Sequence, residues 1–309
     1  MNIIITSIGR RVQLIEHFRE TFTVIGVDAS SQNAARYFVD RFFVIPRCDE
    51  ESYISELLRI AIENDVKLIL PLYEKEFEIL CDNRSLFEEK GIKILLSDRE
   101  VIDICNNKLA TQGFFEKEGI LAPRITEHAP AVIKPVDGMG SKDVFIVDND
   151  AELEAAKILS RNDYIIQERI KGTEYTIDVL CDFEGNVVAA VPRIRLEVRS
   201  GEVAKSRTIC DRSVIDKTIE LIAKLNKYGK VIGPITVQCF VTEEYGTEKK
   251  EIVFLEINPR VGGGVPLTFE SGINYGRYIE KFANGYVHSG EICEFKEVSM
   301  MRYDMAVYQ

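Results

Sequence analysis

Along the first hundred residues the spacing of apolar positions alternates between two periods, and each change marks an element. An apolar, β-rich run at 2–8 passes through Gly9, Arg10 and Arg11 into Val12, Leu14, Ile15 and Phe18, which share one face of a helix. A second run at 23–27 ends in Asp28, and further strands are expected at 42–45, 67–70 and 92–96. Between them Ile54, Leu57, Leu58, Ala61 and Ile62 line one helical face. Strands alternating with helices predict a small parallel α/β layer over residues 1–98.

Ser97 and Asp98 stand where they can cap a new helix, and the domain boundary is expected there. Asn107 and Lys108 open a helical stretch that ends at Gly119, and Pro123 forbids its continuation. The pattern then changes to short strands at 131–135, 143–147 and 163–168, with a helix at 151–160 capped near Asn149 or Asp150. This predicts a compact α+β insertion. A hairpin from 174–180 to 187–194 turning at 182–186, a helix at 213–228, and a strand at 236–241 pairing with one at 252–257 complete the plan. The order strand, turn, helix, strand, acid at the start is that of a dinucleotide-binding unit. One glycine, Gly9, stands where the phosphate-cradling fingerprint needs three, so the layer is expected as fold without that cofactor.

Composition narrows the function classes. A chain of 309 residues, 46% apolar, is long enough for two or three packed units. Its 39 basic and 50 acidic residues give a net charge of −11, which argues against a general nucleic-acid or anionic-membrane binder but not against a local cationic pocket. The seven cysteines form no C-x-x-C pair and sit mostly in apolar runs, as expected in a reducing compartment. Residues 1–8 read as a strand rather than a leader, and no run approaches the roughly 20 apolar residues of a membrane span. A cytoplasmic location is expected.

The candidate chemistry centres on residues 252–264, IVFLEINPRVGGG. Strand alternation turns Glu256 and Asn258 to one face and Leu255 and Ile257 to the core, and Gln238 joins the first pair if the strands align. Three oxygens on one face suit a hard divalent cation. Pro259 ends the ladder, Arg260 adds a fixed cation, and Gly262, Gly263 and Gly264 let backbone approach whatever sits above the metal. Taken alone, the same run is also a strand ending in a Pro/Gly turn with its Glu paired to its Arg. Lys134 at a strand end faces the loop Gly138-Met139-Gly140-Ser141, a site for phosphates, although a plain hairpin gives the same pattern and the loop is not a Walker A motif. In the link after 165–168, Glu168 can accept from an exocyclic amine and Glu174 from ribose hydroxyls; a solvated turn is the alternative. Arg193, Arg195, Arg199, Lys205 and Arg207 form a stretch expected to recognise a substrate carboxylate or phosphate, or simply a solvated basic strip. The three histidines, His17, His128 and His288, belong to no catalytic set.

Asn107-Lys108, then IKP with GMGS, then QERIKGTEYTIDV, then VQ, then FLEINPRVGGG, in that order, make the chain resemble the ATP-grasp superfamily over about residues 1–285, most closely its carbamoyl-phosphate-synthetase-like branch. The resemblance implies an α/β pre-ATP-grasp (Rossmann-like) domain at 1–98 and an α+β ATP-grasp domain at 99–309 with a mobile lid subdomain at about 112–167. It implies ATP held by Lys108 and Lys134 on the phosphates, a flexible loop carrying Gly138, Gly140 and Ser141, Glu168 and the Ile170 backbone on adenine, and Glu174 on ribose. It further implies Glu256 and Asn258 as Mg²⁺ (or Mn²⁺) ligands with Gln238 beside them, and Arg260 with Lys134 as the catalytic cations.

The activity implied is an ADP-forming ligase that activates a carboxylate as an acyl phosphate and joins it to an amine or thiol. Its partners are small-molecule carboxylate and amine substrates, with a homodimer left open and neither nucleic acid nor membrane involved. The chain departs from the synthetase pattern at Gly262, Gly263 and Gly264, where a serine- and arginine-bearing segment is usual, and it carries no second synthetase half or glutaminase partner. A different acid is therefore expected in the acceptor pocket. The rival reading is an ATP-binding subunit or non-catalytic nucleotide sensor; the intact Lys134, Glu256, Asn258 and Arg260 favour the enzyme. A nicotinamide oxidoreductase is opposed by the single glycine near residue 9.

Overall fold

In the computed structural model of the chain, which describes residues 1–137, 143–160, 163–199, 202–243 and 250–308, the early apolar runs form a parallel five-stranded sheet. Its strands are β1 (Asn2–Thr6), β2 (Thr23–Asp28), β3 (Arg41–Val44), β4 (Val66–Leu70) and β5 (Lys93–Ile94), in the order β3-β2-β1-β4-β5. Ile3 and Ile5 pack on Leu14, Ile15 and Phe18 of the helix Val12–Arg19, while Ile4 packs on the other side with Tyr53 and Leu57 of the helix Tyr53–Glu63. Burial on both faces is what a parallel sheet requires. The strand order reverses between β1 and β4, so their carboxyl ends border the crevice where such sheets hold ligands.

β5 is shorter than the expected 92–96, because the chain leaves the sheet to join the second unit. Ser97 Oγ accepts from the Ile232 amide (3.0 Å) and Asp98 Oδ2 from the Lys230 amide (2.8 Å). Asp98 occupies the N-cap position of the helix Arg99–Asn106, but its side chain makes no capping bond, contrary to the sequence expectation. Its carboxylate is committed to Lys230 instead.

Next come β6 (Ala131–Pro135), β7 (Phe145–Val147) and β8 (Tyr164–Glu168), an antiparallel sheet in the order β7-β6-β8. The helix Asp150–Leu159 lies on it, capped by Asn149, whose side chain accepts from the Glu152 amide (3.0 Å). Ala131, Ile133, Val147, Leu153 and Ala156 give this small unit a core of its own. The helix Lys108–Lys117, by contrast, sends Phe114 and Phe115 into the core of the large sheet.

That large sheet contains β9 (Thr173–Cys181), β10 (Val187–Arg199), β11 (Glu202–Thr208), β12 (Gly233–Glu243), β13 (Lys250–Asn258) and β14 (Ser299–Met301), in the order β13-β12-β9-β10-β11-β14, with every neighbouring pair antiparallel. The helix Arg212–Leu225 covers one face through Val214, Ile215, Leu221 and Ile222. The other face, at Leu180, Val188, Ala189 and Val191, shares a core with Ile3, Ile5 and the first helix. The two main units are thus fused through apolar packing rather than joined by a linker alone.

β12 and β13 pair as expected, with Gln238 opposite Glu256, but the register then jumps so that Cys239 lies opposite Phe254. Leu255 is the extra residue of a β-bulge, half-buried rather than in the core as the simple alternation predicts. The bulge shifts the alternation by one position. Ile252, Phe254 and Ile257 therefore all join the same core cluster, and Glu256 and Asn258 are left on the opposite side. Among the described residues no helix is long and apolar enough to cross a membrane.

Candidate functional site

Glu256 and Asn258 lie side by side at the end of β13, where Asn258 Nδ2 donates to Glu256 Oε1 (3.1 Å). That bond fixes the amide so that Asn258 Oδ1 and Glu256 Oε2 remain, neither accepting from a described residue, and Gln238 faces the pair across β12. One carboxylate and two amide oxygens fit a magnesium ion that takes its remaining oxygens from water and phosphate. Among the described residues no group of three His, Cys, Asp or Glu side chains is placed to hold a metal by itself.

Two lysines lie in the same region. Asn107 caps the helix Lys108–Lys117, accepting from the Leu109 and Ala110 amides (both 3.0 Å), and its Nδ2 reaches Asp137 (3.3 Å). The Lys108 amide donates to the Val136 carbonyl (3.1 Å), which locks the helix start to the end of β6. Lys134 leaves β6 one residue before its end. Burial pushes its ammonium below the usual lysine range; Glu256 opposes that shift and Lys108 adds to it. Lys134, Lys108 and Glu256 therefore occupy one electrostatic neighbourhood.

Arg260 sits just beyond this group. Its Nε donates to Glu74 Oε1 (2.7 Å) and its Nη1 to the Val261 carbonyl (3.2 Å), while Thr236 Oγ1 donates to the Arg260 carbonyl (2.9 Å). The three glycines that follow do admit a close approach, but of the chain's own side chains. A Cβ on Gly262 would meet Thr236 Oγ1 at 2.9 Å, and one on Gly264 would meet the Arg193 guanidinium at 2.5 Å. Arg302 Nη2 donates to the Gly263 carbonyl. The loop is thus packed closely against Thr236, Arg11 and Arg193 of the protein itself.

Arg193 is no surface anion receptor. It is 3% exposed, and its Nε donates to Asp178 Oδ2 (2.8 Å), an oxygen that also accepts from Thr268 Oγ1 (2.7 Å). The rest of the basic stretch is likewise paired: Arg195 with Glu174 (2.6 Å), Arg199 and Lys205 with Glu197 (2.8 and 2.7 Å), and Arg207 with Glu297 (2.8 Å). A continuous cationic strip does not form.

Glu168, at the end of β8, is held by Arg124, whose backbone amide (3.0 Å) and guanidinium (2.9 Å) both donate to it, and these bonds keep its carboxyl below the usual range. Ile170 lies half-buried in the link to β9, where Gly172 passes so close to the Val241 carbonyl that a Cβ would stand 2.6 Å away. Gly138, Gly140 and Ser141 lie outside the described residues. Arg124 and Glu74, which hold Glu168 and Arg260, were absent from the sequence-derived site, and no local motif marks them; Arg195, read from the sequence only as part of the basic stretch, pairs with Glu174.

Beneath Glu74, Glu76 is 2% exposed and accepts from the hydroxyls of Thr6 and Ser7. Burial outweighs these donors and pushes its carboxyl up to about 7. A raised carboxyl favours the fold most below the unfolded value of 4.5, and the advantage disappears as pH rises through about 7. The stability of the parent relative to Glu76→Gln should accordingly fall by about 2 kcal/mol between pH 5 and pH 8. Urea unfolding at the two pH values measures it. His17, pushed down to about 4 by burial, has the opposite sign and is common to both proteins.

A parallel α/β layer is thus fused to an antiparallel sheet, and a three-stranded unit carries Lys134 into the neighbourhood of Glu256. The chain belongs to the ATP-grasp family: the model of the ATP-grasp domain matches residues 105–264, and that of the PylC-like, N-terminal domain matches residues 3–95. Among solved structures it is similar to N5-carboxyaminoimidazole synthetase from Staphylococcus aureus complexed with ADP, at 16% identity over 98% of this chain and 82% of that one, with a TM-score of 0.75. The biotin carboxylase–β,γ-ATP complex from Campylobacter jejuni gives 19% identity, 93% and 72% coverage and a TM-score of 0.70. An L-amino acid ligase from Bacillus licheniformis gives 19% identity, 93% and 75% coverage and 0.68. At these identities the likeness is one of fold.

Proposed function

We propose that the protein is an ATP- and Mg²⁺-dependent ligase that activates a carboxylate as an acyl phosphate and transfers the acyl group to an amine, releasing ADP and phosphate. The observation that carries this reading is the convergence of Lys134 and Lys108 on the Glu256–Asn258 pair, with Arg260 two residues further on. Phosphoryl transfer needs positioning and charge neutralisation rather than a protein nucleophile, and these groups supply both. Lys108 and Lys134 hold the phosphates, and Glu168 and the Ile170 backbone take the adenine. Glu174 takes the ribose, with Arg124 and Arg195 keeping the two carboxylates in place.

A substrate carboxylate oxygen attacks the terminal phosphorus and the bond to ADP breaks. Arg260 and Lys134 carry the charge that develops on the transferred group. The amine lone pair then attacks the acyl carbon, phosphate leaves with the former carboxylate oxygen, and the amine loses a proton. A divalent cation held by Glu256 and Asn258, with Gln238 beside them, would supply further charge neutralisation at the phosphate oxygens. Residues 1–98 act as the platform and 99–309 as the ATP-grasp unit. The small sheet β7-β6-β8 closes as a lid that keeps water from the acyl phosphate. Its separate core supports movement as one body.

With an accepted acid carrying ¹⁸O in its carboxylate, one label should appear in the released phosphate, and ADP rather than AMP should accumulate. Production of AMP and pyrophosphate would rule the reading out. ATP binding without acid-stimulated turnover across a broad panel of amino acids and other carboxylates would instead identify a nucleotide sensor.

A further inference from the structure

We infer that Glu74 is a positioning residue for Arg260 and that Glu76, behind it, fixes the turn from which Glu74 reaches across, so that the N-terminal layer sets the aim of the phosphoryl-binding arginine. The inference rests on the ligase reading above. Arg260 and Glu74 stand 186 positions apart in sequence and meet at 2.7 Å, with side chains 21% and 15% exposed. With Nε on Glu74 and Nη1 on the Val261 carbonyl, the guanidinium is anchored at two of its three nitrogens. Its Nη2 has no partner among the described residues and is the edge left to meet a ligand oxygen. A planar fork held along one side presents the other in a fixed direction.

Glu74 belongs to a single helical turn, Glu74–Glu76, that follows β4 at the point where the strand order reverses. That turn is pinned from beneath. Glu76 accepts from Thr6 Oγ1 and Ser7 Oγ, the Leu72 amide donates to Thr6 Oγ1 (3.3 Å), and the Glu76 amide donates to the Tyr73 carbonyl (2.9 Å). Ser7 holds its place with a left-handed φ of +49° at the end of β1. A continuous path therefore runs from the end of β1 to Glu76, along the turn it shares with Glu74, and on to Arg260. Electrostatic stabilisation of a transferring group depends on donors fixed in advance, and this path is what fixes one of them.

The test uses the full-length protein with Mg²⁺, comparing its affinity for ADP alone with that for ADP plus aluminium fluoride, which imitates the phosphoryl group in flight. The parent should bind the second form at least about tenfold more tightly, and Arg260→Gln should lose most of that gain. Glu74→Gln and Glu76→Gln should keep the affinity for ADP within about twofold yet lose about tenfold of the gain. Combining Glu74→Gln with Arg260→Gln should cost nothing beyond Arg260→Gln alone, a non-additivity that a general loss of stability would not produce. If Glu74→Gln fails to fold, Glu74→Asp retains the charge at shorter reach and permits the same comparison. Full retention of the gain in the Glu74 and Glu76 variants, alongside its loss in Arg260→Gln, would overturn the positioning role and leave the ligase reading standing. Absence of any gain in the parent, or its survival in Arg260→Gln, would bring down both.

Discussion

Replacing Glu256 by glutamine should abolish Mg²⁺-dependent ATP turnover, by at least about a hundredfold, without unfolding the protein. Glutamine keeps the volume, and its carbonyl can still accept the Asn258 Nδ2 bond seen at 3.1 Å, so the bulged end of β13 keeps its shape. What disappears is the anionic oxygen among otherwise neutral amide partners, and a hard cation loses most from that. ADP release at saturating Mg²⁺, measured beside an unchanged melting temperature, is the check. Turnover at the parent rate would return Glu256 and Asn258 to being an ordinary strand end.

The second large effect falls on stability. Asp178→Ala should destabilise the fold by about 3–5 kcal/mol, because it strands the Arg193 guanidinium in an apolar interior and leaves Thr268 without its acceptor. Replacing both charges at once, Asp178→Leu with Arg193→Met, should recover most of the loss. Urea midpoints for the two variants give the comparison, and a penalty below about 1 kcal/mol for Asp178→Ala would mean that Arg193 finds another partner. Since the same guanidinium lies under Gly264, the single variant should also loosen the loop that carries Arg260.

Much of the fold was readable from periodicity. The alternating first layer, the turn at 182–186 and the pairing of Gln238 with Glu256 all follow from apolar spacing and turn residues. The bulge at Leu255 was not readable, since an inserted residue leaves the composition of a strand unchanged and shows only in the register with its partner. The candidate site's members stand in local motifs, and the partners that hold them do not. Lys108, Lys134 and Glu256 sit in recognisable local motifs, whereas Arg124, Arg195 and Glu74 reach their carboxylates or arginine across 44, 21 and 186 positions. The basic stretch was misread for a related reason: on an alternating hairpin, charges that look contiguous in sequence are divided between faces, and Arg193 fell on the buried one.

The contact between Glu74 and Arg260 also bears on how the protein acquires its activity. Each sheet draws its strands from one part of the chain, but this ion pair joins two such parts and closes a loop of 186 positions. The entropy of such a closure grows only slowly with length, about 0.6 kcal/mol per doubling, yet it must be met before the contact offers any return. Arg260 therefore gains this orientation only once the two layers have docked along the core shared by Ile3, Ile5, Leu180 and Val188. A chain with its sheets formed and not yet docked has Arg260 without its Glu74 partner, so on the function proposed above its capacity to cleave ATP would arrive together with the docked molecule.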